Sequence, residues 1–463
     1  MKSSAHEALR TARHTLRPGV IRVVAAASLL AIPASRASAQ LGSFNPPPGP
    51  HGVYAIRNAR IVTVSGPVIE NGTVVIGNDG KIQAVGANVQ IPNGAQTIDG
   101  TGLSVYPGMM DAGTTMGLSE IPQGATPTVD VSEVGSFNPN VHAFYGIDAH
   151  SAHIGVTRVV GVTHVISRPT GGLISGQAAL INLAGDTPPK MAVVKDIVMA
   201  MSLPRSGFAG RRFGGFAAQR QGGTEEANRV RQAQLDSLKT ILDEARAYGK
   251  AQDAYAKDKT LPRPAHDVVL ASLVPVVRGE IPALFTADAA KDIRDAVTFA
   301  EENHLEPIIL GGRDALEVAP LLEEHHVPVI VTSVMDLPSR EDDPYDVNYS
   351  MPGKLAAAGV TFAIASGEAG AHVRNLPYVA GMAAAFGLSK DDALKSVTLW
   401  PAQIFGVADK FGSIEVGKIA NLVVTTGDIL EAKTDTKALF IDGRPVPLSD
   451  KHTYMYEKYK DRP

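Results

Sequence analysis

Residues Pro107 to Gly117 read PGMMDAGTTMG, and this stretch decides how the chain is interpreted. The apolar residues around Asp111 indicate a strand, and on a strand the side chains at positions i and i+2 point to the same side. A metal-binding strand end places two ligating side chains at that spacing. Here Gly113 and Thr115 occupy the two positions, so one has no side chain and the other offers only a neutral hydroxyl. The stretch has the frame of a metal-binding strand end without its ligands.

Strands and helices alternate along the middle of the chain. Apolar runs at Ala283–Ala287, Pro307–Leu310, Val327–Val331 and Val360–Ala365 are separated by helical patterns. Repeated βα units predict a parallel (β/α)8 TIM-like barrel over residues 107–410. Loops at the carboxyl ends of its strands would then carry the chemistry.

Short β-branched runs punctuated by turn residues occupy both ends of the chain. Either set alone is too small to form a stable sandwich. We therefore expect residues 53–106 and 411–448 to combine into one composite β-sandwich. Residues 449–463 follow as a C-terminal tail.

The first 39 residues have the composition of a signal peptide. Basic residues precede a short apolar run, Val23–Ala34, and a small-residue cleavage site precedes Gln40. The apolar run is too short for a membrane span, which needs about 20 residues. Residues 40–52 form a proline-rich linker. These features predict an exported protein, periplasmic or secreted.

Charge and cysteine content exclude several classes of function. The whole chain carries a net charge of −4, and the predicted leader holds six basic residues and one acidic residue. The remainder therefore carries about −9, which argues against nucleic acid as a partner. The absence of cysteine excludes disulfides, thiolate metal sites and a cysteine nucleophile.

Residues 206–224 interrupt the strand–helix rhythm with a sequence rich in glycine, arginine and phenylalanine. This composition favours a flexible surface loop. A lid or a clamp for an anionic substrate is the alternative. The helical pattern that follows, over 225–257, has an apolar stripe that predicts one buried face.

Several motifs together resemble the amidohydrolase superfamily, in its imidazolonepropionase-like branch. Val105–Asp111 is similar to that family's entry into the first barrel strand, and Gly171–Gln177 is similar to its loop after the second. Thr398–Val407 and Gly412–Val424 resemble its return to the β-domain. The resemblance covers about residues 53–447. It implies a barrel with a composite β-sandwich and hydrolysis of non-peptide C–N bonds, of the cyclic amide type, by metal-activated water.

The same resemblance implies where a divalent ion such as Zn²⁺ would bind. Aligned with the family, the ligand positions fall on Gly113, Thr115, Thr286, Gly311 and Gly367. Zinc needs at least three nitrogen or oxygen donors from the protein, and these residues do not supply them. The sequence therefore predicts that the family's metal site is lost and that no cofactor is bound.

Other polar residues fall on the predicted catalytic face. Glu368 and His372 follow the eighth strand, where a Glu–His pair could act in acid–base catalysis, and Asp288 follows the fifth. Arg340 and Arg313 are candidates for binding a carboxylate or amide oxygen. For each of these, a structural salt bridge or a charged surface loop is the alternative interpretation.

Histidines outside this face have simpler interpretations. His150 and His153 have a spacing that can bind a metal on a helix, but a solvated helix face is the preferred interpretation. His164 begins a barrel strand and is interpreted as a packed or hydrogen-bonded core residue.

Two hypotheses of function follow. The first is a degenerate, non-catalytic amidohydrolase (a pseudoenzyme) that binds a small molecule, as a homo-oligomer or paired with an active relative. The second is an active hydrolase with a non-standard site, with or without a metal, that uses Glu368, His372, Asp288 or a residue not placed by the sequence. A metal enters only under this second hypothesis, if donors elsewhere rebuild a site.

Overall fold

The computed structural model describes residues 45–121, 128–204 and 224–462. The predicted signal peptide lies outside the described residues, as does the insertion at 206–224 apart from the backbone of Thr224, which begins a helix.

The described residues form 16 strands. Numbered along the chain, they are β1 (Tyr54–Ile61), β2 (Ile69–Ile76), β3 (Ile82–Gly86), β4 (Gln96–Asp99), β5 (Ser104–Pro107), β6 (Met109–Thr114), β7 (Val162–Ser167), β8 (Ile174–Asn182), β9 (Ala192–Met201), β10 (Ala283–Ala287), β11 (Pro307–Gly311), β12 (Val329–Val331), β13 (Phe362–Ile364), β14 (Leu422–Thr425), β15 (Thr436–Ile441) and β16 (Arg444–Pro445).

Helices follow most of the strands from β9 onward. The α-helices are Ala143–Gly146, Ala152–Arg158, Pro188–Met191, Thr224–Lys257, Val268–Val277, Ala290–Glu302, Ala319–Glu324, Val347–Ala357, Leu376–Ala385, Lys390–Ser396, Leu399–Ile404 and Lys451–Tyr459. Two 3₁₀ helices span Ala315–Val318 and Gly370–Asn375. No helix in the described part of the chain is both long enough and apolar enough to span a bilayer.

Strands from both ends of the chain share one sheet. Its order is β16-β15-β14-β5-β1-β2-β3, with β4 beside β1. The joint between the two ends is the antiparallel pair of β5 and β14, in which Tyr106 lies opposite Val423. Because the C-terminal strands, which begin at Leu422, complete a sheet that begins at Tyr54, the two ends of the chain depend on each other for burial.

The second sheet is a nearly closed barrel with the order β13-β12-β11-β10-β9-β8-β7-β6. The expectation that all eight strands are parallel is wrong for one of them. Strand β8 runs antiparallel to both β7 and β9. Only six residues connect β7 to β8 and nine connect β8 to β9, whereas a parallel crossover needs a dozen or more.

Side chains inside the barrel are almost entirely apolar. One cluster joins the inward residues of facing strands, among them Met110, Leu180, Leu284, Leu310 and Ile330. The alternate residues of the same strands belong to a second cluster with the surrounding helices. This two-sided burial explains why the strands have continuous apolar sequences.

The long helix Thr224–Lys257 packs only part of its apolar stripe. Leu238, Leu242 and Ala245 are fully buried, while Val230, nearer the N-terminal end, is about half exposed. The predicted buried face is therefore confirmed for the middle of the helix.

Candidate functional site

The carboxyl ends of the parallel barrel strands meet on one side, which we call the barrel mouth. It comprises the residues that end β6, β7 and β10 to β13 together with the loops that follow them. In barrels of this kind, functional groups are supplied from this face.

The inward side of the barrel at the mouth is formed mainly by apolar residues. Thr286 pairs with Leu310, which pairs with Ile330, which pairs with Ala363, so that the four side chains share one face. Leu310, Ile330 and Ala363 are buried, while Thr286 is exposed at the opening. Thr286 therefore contributes the only polar atom among these four side chains.

Gly113 lies against this apolar set from the other side of the barrel. A Cβ atom at Gly113 would lie 2.8 Å from Leu310 Cδ1 and 3.9 Å from Ile330 Cγ2. A larger side chain at this position would have to displace Leu310. The space into which a first-strand ligand would project is thus filled with hydrocarbon.

Gly311 does not face the barrel interior in the way the sequence alignment suggested. Leu310 is the inward residue of β11, whereas a Cβ atom at Gly311 would lie 2.5 Å from Asp288 Oδ1. Gly311 also has a φ of +109°, which L side chains rarely adopt. The glycine lets the carboxylate of Asp288 lie directly on the backbone of the neighbouring strand.

Thr115 forms hydrogen bonds that close the barrel. Its backbone N–H and its hydroxyl both donate to the carbonyl oxygen of Glu368, at 2.8 and 3.0 Å, and the hydroxyl of Thr114 donates to the same oxygen at 3.1 Å. These bonds join the first strand to the loop after the eighth. Gly367, which precedes Glu368, has a φ of +96° and open space on its side-chain side.

Asp111 makes the second link between β6 and the residues after β13. One carboxylate oxygen accepts from the backbone N–H and the hydroxyl of Ser366, at 2.9 and 2.6 Å, and the other accepts from Gly113 N–H at 3.2 Å. Burial raises the pKa of Asp111, while the Ser366 and Gly113 donors lower it. Asp111 therefore has a structural role at the seam between the first and last strands.

Glu368, a candidate for acid–base catalysis with His372, lies beside Arg168, with 3.5 Å between Oε2 and Nη2. His372 is exposed on the 3₁₀ helix Gly370–Asn375. Arg168 follows β7 and is almost completely buried, and burial lowers its pKa while Glu368 raises it. Arg168 was not among the residues predicted from the sequence, because a single arginine after a strand forms no motif of its own.

Four charged residues follow four consecutive strands around the mouth. Asp288 follows β10, Arg313 follows β11, Asp336 lies in the loop after β12 and His372 lies in the loop after β13. Burial and the nearby Asp288 raise the pKa of Asp336, and Arg313 and His372 lower it. The structure therefore brings Asp288, Arg313 and His372 together around Asp336, which the sequence analysis did not identify.

Arg340 is fully engaged with protein carboxylates. Its guanidinium donates to Asp314 at 3.0 Å and to Glu317 at 3.1 Å, and it lies 4.0 Å from Asp343. It joins the loop after β12 to the loop after β11. Arg340 is therefore a link between loops, which is the alternative interpretation given to it above.

Three buried polar atoms near the mouth have no hydrogen-bond partner within the described residues. They are Arg168 Nε, Arg313 Nε and Ser333 Oγ, which belong to the segments after β7, β11 and β12. The nearest carboxylate to Arg313 is Asp314, 3.9 Å from Nε. Unsatisfied buried polar groups are rare in folded proteins and are typical of binding and catalytic sites.

Histidines elsewhere occupy structural positions. His153 is mostly buried, with Nε2 3.1 Å from the carbonyl of Glu120, and His150 is exposed but lies in a turn before the helix Ala152–Arg158. The interpretation as a solvated helix face is therefore wrong for both. His164 is buried beside Phe411, as expected of a core residue. Across residues 45–121, 128–204 and 224–462, no three His, Asp or Glu side chains are grouped so as to hold a metal ion.

Comparison with known proteins was made for both sequence and structure. Residues 287–446 match the family model described as Amidohydrolase family. This segment includes Asp288, Arg313, Asp336 and His372. No curated protein sequence matches the chain.

Solved structures of several hydrolases share the fold. An amidohydrolase from Thermotoga maritima MSB8 has a TM-score of 0.74 at 24% identity, covering 85% of this chain and 99% of that one. Molinate hydrolase has a TM-score of 0.53 at 16% identity, with 87% and 95% covered. A prolidase complexed with N-methylphosphonate-L-proline has a TM-score of 0.52 at 18% identity, with 85% and 99% covered. At these identities the likeness shows a shared fold.

Proposed function

We propose that the whole chain belongs to the amidohydrolase superfamily, in the imidazolonepropionase-like branch, and that its barrel mouth binds a small polar ligand without a divalent ion. The observation that carries this proposal is the hydrocarbon at the inner surface of the mouth. Leu310 and Ile330 fill the space in front of Gly113, where the family resemblance implies a metal ligand.

The residues at the implied ligand positions do not fit a metal ion. Zinc is held by at least three nitrogen or oxygen atoms at about 2.0–2.2 Å. Gly113 and Gly311 have no side-chain donors, and the hydroxyl of Thr115 is used by the Glu368 carbonyl. When bound in an enzyme, such an ion lowers the pKa of a water molecule so that hydroxide forms near neutral pH. We derive no step of that kind for this chain.

Support for ligand binding comes from the unpaired donors at the mouth. A guanidinium has five N–H donors, and burying one without partners costs free energy that a ligand can recover. Arg313 makes no hydrogen bond within the described residues, and Arg168 has one long contact, to Glu368. The mouth is therefore arranged to donate hydrogen bonds to a molecule that the fold itself does not supply.

The test is a thermal-unfolding screen of the purified protein against a library of small polar molecules. A ligand that binds only the folded state stabilises it by RT ln(1 + L/Kd), where L is the free ligand concentration, so Tm rises with the logarithm of that concentration above Kd. We expect a hit whose effect disappears in Arg313→Gln and persists in Arg340→Gln, because Arg340 is already paired with carboxylates. If every hit stabilises Arg313→Gln as strongly as the wild type, the barrel mouth is not the binding site.

One observation favours a second candidate, a metal-independent hydrolase. Burial and the nearby Asp288 raise the pKa of Asp336. A carboxyl group with a raised pKa is a candidate general acid in hydrolysis. Turnover of hydantoins or acyl dipeptides that persists in a chelator and is lost in Asp336→Asn would support this candidate over the first.

We also propose that the protein is exported, on the basis of residues 1–39 alone. Cleavage after Ala39 would leave Gln40 at the N-terminus. N-terminal sequencing of protein recovered from the periplasm or medium of an exporting host should begin at Gln40. Recovery of the uncleaved chain from the cytoplasm alone would contradict export.

A further inference from the structure

We propose that the ligand of the barrel mouth is a small zwitterion, carrying one carboxylate and one cationic nitrogen. This inference rests on the proposed function, because it concerns the same site. It follows from the order in which charged side chains appear around the mouth.

The cationic groups are the two arginines with unpaired donors. Arg168 is held rigidly, since its side chain is only 7% exposed, yet its guanidinium is 3.5 Å from Glu368 and its Nε has no partner within the described residues. Arg313 is about one-third exposed and lies 3.9 Å from the nearest carboxylate. A planar guanidinium matches a carboxylate through two parallel hydrogen bonds, so either arginine could bind a ligand carboxylate.

The acidic groups alternate with these cations. Asp288 and Asp336 follow β10 and β12, and Arg313 follows β11 between them. Neighbouring strands in a sheet are about 4.8 Å apart, which places Asp288 and Arg313, directly after β10 and β11, at adjacent positions of the mouth. Asp336 lies further along the loop after β12, near enough for Asp288, Arg313 and His372 to shift its pKa.

Alternating charges select against ligands with a single charge. A carboxylate bound at Arg313 lies between two carboxylates of the protein, and its binding is weakened unless a positive group of the ligand accompanies it. A cation without a carboxylate leaves the Nε atoms of both arginines without a hydrogen-bond partner among the described residues. A zwitterion satisfies both sets of groups, and it does so without changing the net charge of the site.

The experiment compares three matched probes by isothermal titration calorimetry with the full mature chain. The probes are 4-aminobutanoate, its N-acetyl derivative, which keeps only the negative charge, and its amide, which keeps only the positive charge. We expect the zwitterion to bind at least about tenfold more tightly than either derivative, a difference of about 1.4 kcal/mol.

Two substitutions then assign each charge to its partner. In Arg313→Gln the preference for 4-aminobutanoate over its amide should disappear, and in Asp336→Asn the preference over the N-acetyl derivative should disappear. Arg340→Gln should retain both preferences, because that side chain is engaged with Asp314 and Glu317. Tyrosine fluorescence and thermal unfolding of each variant establish that it is folded.

The outcomes separate this inference from the proposed function. Equal affinities for the three probes, or a preference that survives both substitutions, overturn the zwitterion assignment. If the probes fail to bind while a neutral molecule from the screen binds in an Arg313-dependent manner, the zwitterion assignment is also overturned. The proposal that the mouth binds a small polar ligand is then retained. If no molecule binds in a way that depends on Arg313, the proposed function itself fails.

Discussion

At the scale of single residues, glycines control what the barrel mouth can contain. Gly113 leaves room for Leu310, and Gly311 leaves room for the carboxylate of Asp288. Leu310 belongs to a strand across the barrel from Gly113, whereas Asp288 follows the strand next to that of Gly311. The absence of a side chain at each glycine is thus coupled to the placement of another residue, and substituting one requires the other to move.

The coupling at Gly311 can be measured with a matched pair of substitutions. Gly311 and Gly367 both have positive φ values, +109° and +96°, but only Gly311 has an atom in the way of a Cβ. Gly367→Ala should cost about 1–2 kcal/mol in free energy of unfolding from backbone strain alone. Gly311→Ala should cost clearly more, because it also displaces Asp288.

Urea denaturation of the wild type and both variants tests this prediction. Equal destabilisation by the two alanines would show that the contact with Asp288 contributes nothing to the cost. The difference between the two variants isolates that contact, since the backbone strain is common to both.

The burial of His164 predicts that the stability of the protein depends on pH. It is buried without a partner for Nε2, and burial lowers its pKa to about 3 from an ordinary value of 6.5. Below pH 6.5 the unfolded chain takes up a proton at this histidine while the folded chain does not. The stability it contributes is therefore present above pH 6.5 and is lost as pH falls from 6.5 towards 3, at about 1.4 kcal/mol per pH unit.

Unfolding free energies at pH 7.5 and 5.0 measure this dependence. On lowering the pH, the wild type should lose about 2 kcal/mol more than His164→Gln, which has no titrating group at this position. His150→Gln is the control, because His150 is exposed and its removal should leave the pH dependence unchanged. Identical slopes in the wild type and His164→Gln would contradict the assignment.

At the scale of elements, the seam between β6 and the segment after β13 holds the barrel together. Asp111 and Thr115 provide five hydrogen bonds there, of which four cross the seam to Ser366 and Glu368 and one is within the first strand, to Gly113. In this chain the protein's own hydrogen bonds join the two strands at which the family resemblance implies metal ligands.

Removing one acceptor from the seam should destabilise the protein without altering its ligand preference. Asp111→Asn replaces a carboxylate oxygen by an amide group and leaves a buried donor of Ser366 or Gly113 unpaired, at a cost of about 1–3 kcal/mol. Thr115→Val removes one donor and should cost about 0.5–1.5 kcal/mol. Chemical denaturation measures the free energy of unfolding of both variants. A loss below about 0.3 kcal/mol for Asp111→Asn would show that these hydrogen bonds contribute little to stability.

The elements also show what the sequence could and could not predict. Strands β10 to β13 were predicted within a few residues, because continuous apolar runs alternate with helical patterns and bury both faces. The reversal of β8 was missed, since a fully buried strand has the same apolar sequence in either direction. Arg168 was missed because a single arginine after a strand forms no motif, and Asp336 was missed because its neighbours in space are far from it in sequence.

At the scale of the whole molecule, the two sheets have different roles. The sheet shared by the two ends of the chain joins β5 to β14, which brings the barrel's entry and exit together. The barrel presents its strand ends and their loops on one side, where charged residues surround a largely apolar interior. The charged residues of the barrel mouth are thus separate from the apolar packing below them. Under our proposal the mouth binds a ligand without an ion in the barrel interior.

The most direct test of this account is a calorimetric titration of the chelator-treated, full mature protein with Zn²⁺ at pH 7.5. The account predicts no saturable site at one ion per chain with a Kd below about 10 μM, because too few donors converge at the mouth. Stoichiometric binding tighter than this, lost in Asp288→Asn or Glu368→Gln, would place an ion at the barrel mouth and contradict it.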